Sequence, residues 1–188
     1  EVSSHALDLH RVYATRFAVA VFTNLSHDHR DHHGTMAAYF QAKARLFEPE
    51  RTDLGVLNVD DPHGRLLLDA AVVPSVGYGI ADAEGLEITG SGSTFTWRGT
   101  KLSVALPGRF NVVNAIAAAT TAGELGVAPE HIAAGLAAVT SVPGRFERVD
   151  EGQPFLAAVD FAHTPDGLEN LVNAAHELAA GNRVIVVF

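Results

Sequence analysis

The sequence predicts an α/β protein: a mainly parallel sheet flanked by helices, interrupted by a small β-rich insertion. Three observations carry that prediction. Phe17–Phe22 (Phe-Ala-Val-Ala-Val-Phe) is an unbroken apolar run between polar residues, the pattern of a strand buried on both faces. A helical periodicity over 34–47 and a second apolar run at 54–59 follow it, giving the β-α-β alternation of parallel sheets. From about 75 to 106 the texture changes to short pieces rich in Gly, Ser and Thr, which reads as a separate β-rich insertion.

In the first helical segment Met36, Phe40, Lys43 and Phe47 recur at i, i+4, i+7 and i+11, which places Lys43 in an apolar stripe. The strand at 54–59 is closed by Asn58 and the turn residues Asp60-Asp61-Pro62. Thr94-Phe95-Thr96-Trp97 and Lys101-Leu102-Ser103-Val104 flank Arg98-Gly99-Thr100 as the arms of an antiparallel hairpin. Helices are expected at 111–125, closed by Gly126, at 129–139, opened by Pro129, and at 165–180, with Thr164 as cap and Gly181 behind. Glu1-Val2-Ser3-Ser4 reads as a strand end entering a loop, and 183–188 as a buried strand that stops with nothing after it. Both ends therefore look cut, as in a fragment of a longer protein. The expected division is a first domain over 1–164 and the start of a second over 165–188.

The 188 residues are 47% apolar, enough for one sizeable core. Lys and Arg number 13 against 22 Asp and Glu, a net charge of −9, so no broad basic surface for nucleic acid or anionic lipid is expected. With no cysteine, a disulfide frame, a zinc ribbon and a thiol nucleophile are excluded, which fits a cytoplasmic protein. No run reaches the roughly 18–20 apolar residues that cross a bilayer, and no charged segment followed by a short apolar one opens the chain.

His27-Asp28-His29-Arg30-Asp31-His32-His33 directly follows the first strand, where ligands bind in open α/β sheets. Its density of imidazoles and carboxylates is costly to bury without partners, and a metal ion is the natural guest. Two readings compete. His27-x-His29-x-Asp31-His32 matches H-x-H-x-D-H and resembles the dinuclear site of the metallo-β-lactamase hydrolases. That family needs further ligands on later loops, whereas His63, His131, His163 and His176 sit in helix or turn contexts. It also leaves Lys43 unexplained.

The second reading takes the neighbours together. Glu1-Val2-Ser3-Ser4-His5-Ala6-Leu7, Thr23-Asn24-Leu25-Ser26-x-Asp28-His29-x-Asp31-x-His33-Gly34, Ala42-Lys43, Leu46-Phe47 and Asn58-x-Asp60-Asp61 resemble the central domain of the Mur ligases. Phe110-Asn111-Val112-x-Asn114, Pro143-Gly144-Arg145-Phe146-Glu147 and Val159-Asp160-Phe161-Ala162-His163-Thr164-Pro165-Asp166 continue the resemblance in order. Several ordered motifs outweigh one.

The resemblance implies an ATP-dependent amide ligase of peptidoglycan synthesis. Its partners would be UDP-N-acetylmuramoyl-L-alanyl-D-glutamate and a third amino acid, diaminopimelate or lysine, with Mg²⁺ as cofactor. ATP would phosphorylate the substrate carboxylate and an amine would attack the acyl phosphate. Folylpolyglutamate synthases are a nearer alternative than the hydrolases, though Ser3-Ser4-His5 and Asp28-His29-x-Asp31 fit the muramoyl ligases better.

By the same resemblance Glu1 and His29 would ligate Mg²⁺, and Lys43 would be carbamylated and support the second ion. Carbon dioxide reacts with a neutral amine, which apolar surroundings favour; the plain alternative is a lysine that snorkels to water. His33 and Asp31 would shape the loop by hydrogen bonds, leaving His27, Arg30 and His32 exposed. Ser3 and Arg11 would contact the UDP-muramoyl peptide, while Leu9 stands where some relatives place glutamine. Asn114 would hydrogen-bond the adenine, unless it only caps a helix, Arg145 would approach the ATP phosphates, and Asp160 would bind ribose hydroxyls. His163-Thr164-Pro165 would form a hinge. The G-x-x-G-K-[ST] loop that cradles phosphates is absent from the 188 residues, so the chain alone is expected to be inactive.

Overall fold

The computed structural model describes residues 1–25 and 33–188, and these fall into two compact units, 1–79 and 80–188. Most of the histidine-rich stretch, His29 included, lies outside the described residues.

The first unit holds a three-stranded parallel sheet in the order β1 (Phe17–Phe22), β2 (Thr52–Asn58), β3 (Ser75–Tyr78). Phe17 pairs with Thr52 and Phe22 with Leu57, while Asn58 pairs with Tyr78. Around the sheet lie α1 (Ser4–Asp8), α2 (Met36–Ala44) with a 3₁₀ turn (Arg45–Phe47), and α3 (Pro62–Asp69). The core gathers Ala20, Phe22, Leu25, Tyr39, Phe47, Leu57 and Leu67, with Met36, Phe40 and Leu68 packed against it. β2 is the central strand, and its Val56 and Leu57 are fully buried, as a strand covered on both faces requires.

Four sequence expectations change here. Ser4 starts a helix capped by the Ser3 side chain, where a strand end was expected; a serine before an apolar turn supplies the acceptor that a helix start needs. Ser75–Tyr78 is the third parallel strand, and antiparallel pairing begins only at Glu84. Its signal is hidden by Gly77, where a Cβ would stand 2.7 Å from a Val59 methyl. The buried side of α2 is Tyr39 and Ala42, so Lys43 sits half-buried beside that face rather than at its centre. Finally, 183–188 forms no strand: Ile185, Val187 and Phe188 are exposed, since an apolar run becomes a strand only where a neighbour satisfies its backbone.

The second unit opens with an antiparallel sheet, β4 (Glu84–Thr89), β5 (Gly92–Trp97) and β6 (Thr100–Val104). Arg98 and Gly99 form the two-residue turn with φ of 46° and 77°, the double left-handed conformation that matches strand twist in a hairpin. The Arg98 guanidinium lies 4.9 Å from the Trp97 ring and pairs with Glu124. Glu124 ends α4 (Arg109–Glu124), and α5 (Pro129–Ala138) packs on β6 and α4. Two short strands, β7 (Glu147–Val149) and β8 (Ala157–Val159), pair antiparallel before α6 (Pro165–Ala179). The α6 cap is Thr164, whose hydroxyl accepts from the Gly167 amide.

Candidate active site

In the first unit side-chain hydrogen bonds cluster at the carboxyl ends of the parallel strands. Three side chains hold the backbone that leaves β1 for 26–32. Asn58 Nδ2 donates to the Thr23 carbonyl at 2.6 Å, Asp61 Oδ2 accepts from the Leu25 amide at 2.9 Å, and Tyr78 Oη donates to the Phe22 carbonyl at 3.2 Å. The other oxygen of Asp61 accepts from the His63 and Gly64 amides and so caps α3. Burial pushes the Tyr78 phenol well above the ordinary tyrosine range, and the Asp60 and Asp61 carboxylates add to the effect, so it stays a neutral donor.

His33 lies just before α2. Its side chain is only 4% exposed, its Nδ1 stands 3.2 Å from Asp8 Oδ2, and its ring stacks on Tyr39 at 5.1 Å. The other Asp8 oxygen pairs with Arg45. Lys43 Nζ lies 5.3 Å from the centre of the same Tyr39 ring. Ser3 Oγ accepts from the Ala6 amide at 3.1 Å, leaving its own proton to donate elsewhere. Glu1 and Arg11 are exposed on either side of α1.

In the second unit Arg145 and Asp160 meet at one turn. Gly144 adopts φ 69°, the Arg145 amide donates to the Val142 carbonyl, and the Arg145 side chain projects into solvent. Asp160 accepts from the Phe146 amide at 2.7 Å and the Ala162 amide at 2.8 Å. A carboxylate offers about four acceptor positions, so two remain for hydroxyl groups. Asn114 is exposed on α4, well inside the helix whose cap position is Gly108, and so it does not cap it. Its neighbour Asn111 is buried and donates to the Pro107 carbonyl.

Among the described residues no group of three or more His, Asp or Glu could hold a metal ion. Glu1 contributes a carboxylate and Lys43 an amine, which becomes an oxygen donor only as a carbamate. That donor chemistry fits a hard ion such as Mg²⁺.

Sequence reasoning treated Asp61 as a turn residue and did not single out Tyr78, Asp8 or Arg45. The signal for Asp61 was present: Asp immediately before Pro marks a helix start. Tyr78, Asp8 and Arg45 act across distances in sequence that no local pattern reveals.

Comparison with known proteins gives this arrangement its class. The Mur ligase middle domain matches residues 1–122, and the Mur ligase glutamate ligase domain matches 144–188. The chain belongs to the Mur ligase family. It is 49% identical to the UDP-N-acetylmuramoyl-L-alanyl-D-glutamate--2,6-diaminopimelate ligase of Streptomyces coelicolor, over 96% of this chain and 38% of that protein. A solved structure of a ligase of that name superposes with a TM-score of 0.74 at 32% identity, covering 93% of this chain and 38% of the other. Folylpolyglutamate synthase from Mycobacterium tuberculosis, solved with ADP and AMPPCP, gives a TM-score of 0.68 at 25% identity over 86% of this chain and 39% of that one. The chain thus spans about two fifths of the length of the relatives it matches. With the family fixed, the dinuclear hydrolase reading of His27, His29, Asp31 and His32 is set aside. No described helix is long and apolar enough to cross a membrane.

Proposed function

We propose that this chain works within an ATP-dependent ligase that joins 2,6-diaminopimelate to UDP-N-acetylmuramoyl-L-alanyl-D-glutamate. The observation that carries the proposal is the 49% identity to a ligase of that name across nearly the whole chain. The relatives' names favour diaminopimelate over lysine. The fold similarity to synthases solved with ATP analogues supports the use of ATP.

In the reaction, the γ-phosphoryl group passes from ATP to the substrate carboxylate, ADP leaves, and the incoming amine displaces phosphate as the amide bond forms. Such chemistry rests on positioning and on charge neutralisation. Arg145 meets the phosphates, Asp160 takes ribose hydroxyls on its remaining acceptor positions, and Asn114 reaches the adenine from α4. Ser3 donates its hydroxyl proton to the UDP-muramoyl peptide, and Arg11 neutralises an anionic part of it. Glu1, His29 and carbamylated Lys43 are the residues that would hold Mg²⁺, which would supply positive charge for neutralisation when bound. For Lys43, attack of the neutral amine on carbon dioxide forms a nitrogen–carbon bond, and the amine proton leaves to water.

The test is a ligation assay on the complete polypeptide that carries this chain. Release of ADP and phosphate should require both the UDP-muramoyl dipeptide and diaminopimelate. Turnover with lysine in its place would replace the amino-acid assignment, and turnover with a folate and glutamate alone would overturn the reading.

A further inference from the structure

We propose that Asp8 is a positioning residue for this site, a role that rests on the ligase reading above. Its carboxylate spans two elements distant in sequence: one oxygen pairs with Arg45, 37 residues away, and the other faces His33 Nδ1 at 3.2 Å. Local rules disfavour an aspartate there. It is the last residue of α1, where a negative charge meets the negative end of the helix dipole. A helix of five residues has little stability of its own and depends on tertiary contacts. Ser4 and Leu7 bury one side of α1, and Asp8 supplies a polar attachment to Arg45 in the turn behind α2 and to His33 ahead of it. A residue that breaks a local rule and is compensated by long-range partners is a mark of sites where geometry matters more than stability.

What Asp8 fixes explains its use. Ser3, just before α1, and Arg11, just after it, are the proposed substrate contacts. Arg45 follows Lys43 by two residues, and His33 stacks on the Tyr39 ring over which Lys43 lies. One carboxylate therefore sets the spacing between the segment that would hold the peptide and the lysine that would support Mg²⁺. Small misplacements of this kind cost up to about a hundredfold in rate.

The test uses Asp8→Asn, Arg45→Met and their combination in the complete polypeptide. Urea midpoints of the three variants should be non-additive, the second substitution shifting the midpoint little once the first is present; additive shifts would overturn the contact itself. In Asp8→Asn, kcat should fall roughly tenfold to a hundredfold with KM for ATP within about twofold of the parent. Arg45→Lys, which keeps the charge, should retain most of kcat. If Asp8→Asn lowers the midpoint but leaves kcat within about twofold, Asp8 only stabilises the fold and the proposal fails. An inactive parent overturns the functional reading and this proposal with it, whereas an active parent with an active Asp8→Asn overturns this proposal alone.

Discussion

Tyr78 and Phe22 are joined across β2: the phenol at the end of β3 donates to the last carbonyl of β1 at 3.2 Å, although the two strands are not neighbours in the sheet. The bond closes the carboxyl end of the sheet over its central strand, beside the point where the chain leaves for the histidine-rich stretch.

Tyr78→Phe removes that donor and leaves the Phe22 carbonyl buried without it, which should cost about 1–3 kcal/mol in urea unfolding. The phenol's elevated pKa has a further consequence. An unfolded tyrosine ionises near about 10, whereas the folded Tyr78 holds its proton beyond that. The folded state therefore binds more protons, so stability is fully present below pH of about 10 and declines above it. Tyr78→Phe should flatten this alkaline decline, and an unchanged slope would show that another group causes it.

Gly64 lies in the first turn of α3, and a Cβ built there would overlap the Asn58 carbonyl oxygen. Gly64→Ala must push the helix away from the end of β2. It is expected to destabilise the protein by about 1–3 kcal/mol or more, although alanine is the better helix former. Thermal unfolding checks the sign: a gain in Tm would contradict the close approach.

Lys43 should gain the mass of one carbon dioxide in intact-protein spectra taken under gentle, bicarbonate-containing conditions. Lys43→Ala should lose ligase turnover and regain part of it on addition of a short carboxylic acid that replaces the carbamate oxygens. A bare ammonium in an active, metal-loaded enzyme would rule the carbamate out.

Arg145 lies in the turn that Asp160 holds through the Phe146 amide, but the two should fail differently. Arg145→Ala removes an exposed side chain, so KM for ATP should rise roughly tenfold or more, the worth of one charge-assisted contact, with Tm unchanged. Asp160→Ala also strips the acceptor from the Phe146 and Ala162 amides, so Tm should fall together with ATP affinity. Equal loss of Tm in both variants would show that Arg145 is structural.

The elements legible in the sequence are those whose signals are local. Phe17–Phe22 announces itself by an apolar run, the Arg98-Gly99 hairpin by its turn residues, and α6 by Thr164 followed by Pro165. What escaped depends on partners far along the chain. β3 is a strand because β2 lies beside it, and its own four residues, with a glycine among them, carry little β signal. Likewise 183–188 has the composition of a buried strand but no neighbour to pair with among the described residues. In the site, motif order supplied the candidates Glu1, Ser3, Lys43, Arg145 and Asp160. Asp8, which pairs with Arg45 and His33, and Tyr78, which bonds to the last carbonyl of β1, needed coordinates.

Asp61 divides its two oxygens between the first turn of α3 and the amide of Leu25. Two requirements that selection could otherwise adjust separately, where a helix starts and where the strand end is released, are thereby fused in one side chain. Serine or threonine, adequate caps elsewhere, offer a single oxygen and could meet only one of them. Drift at this position is therefore closed to the usual exchanges among capping residues, and any lineage that abandons Asp61 must rebuild the exit from β1 at the same time.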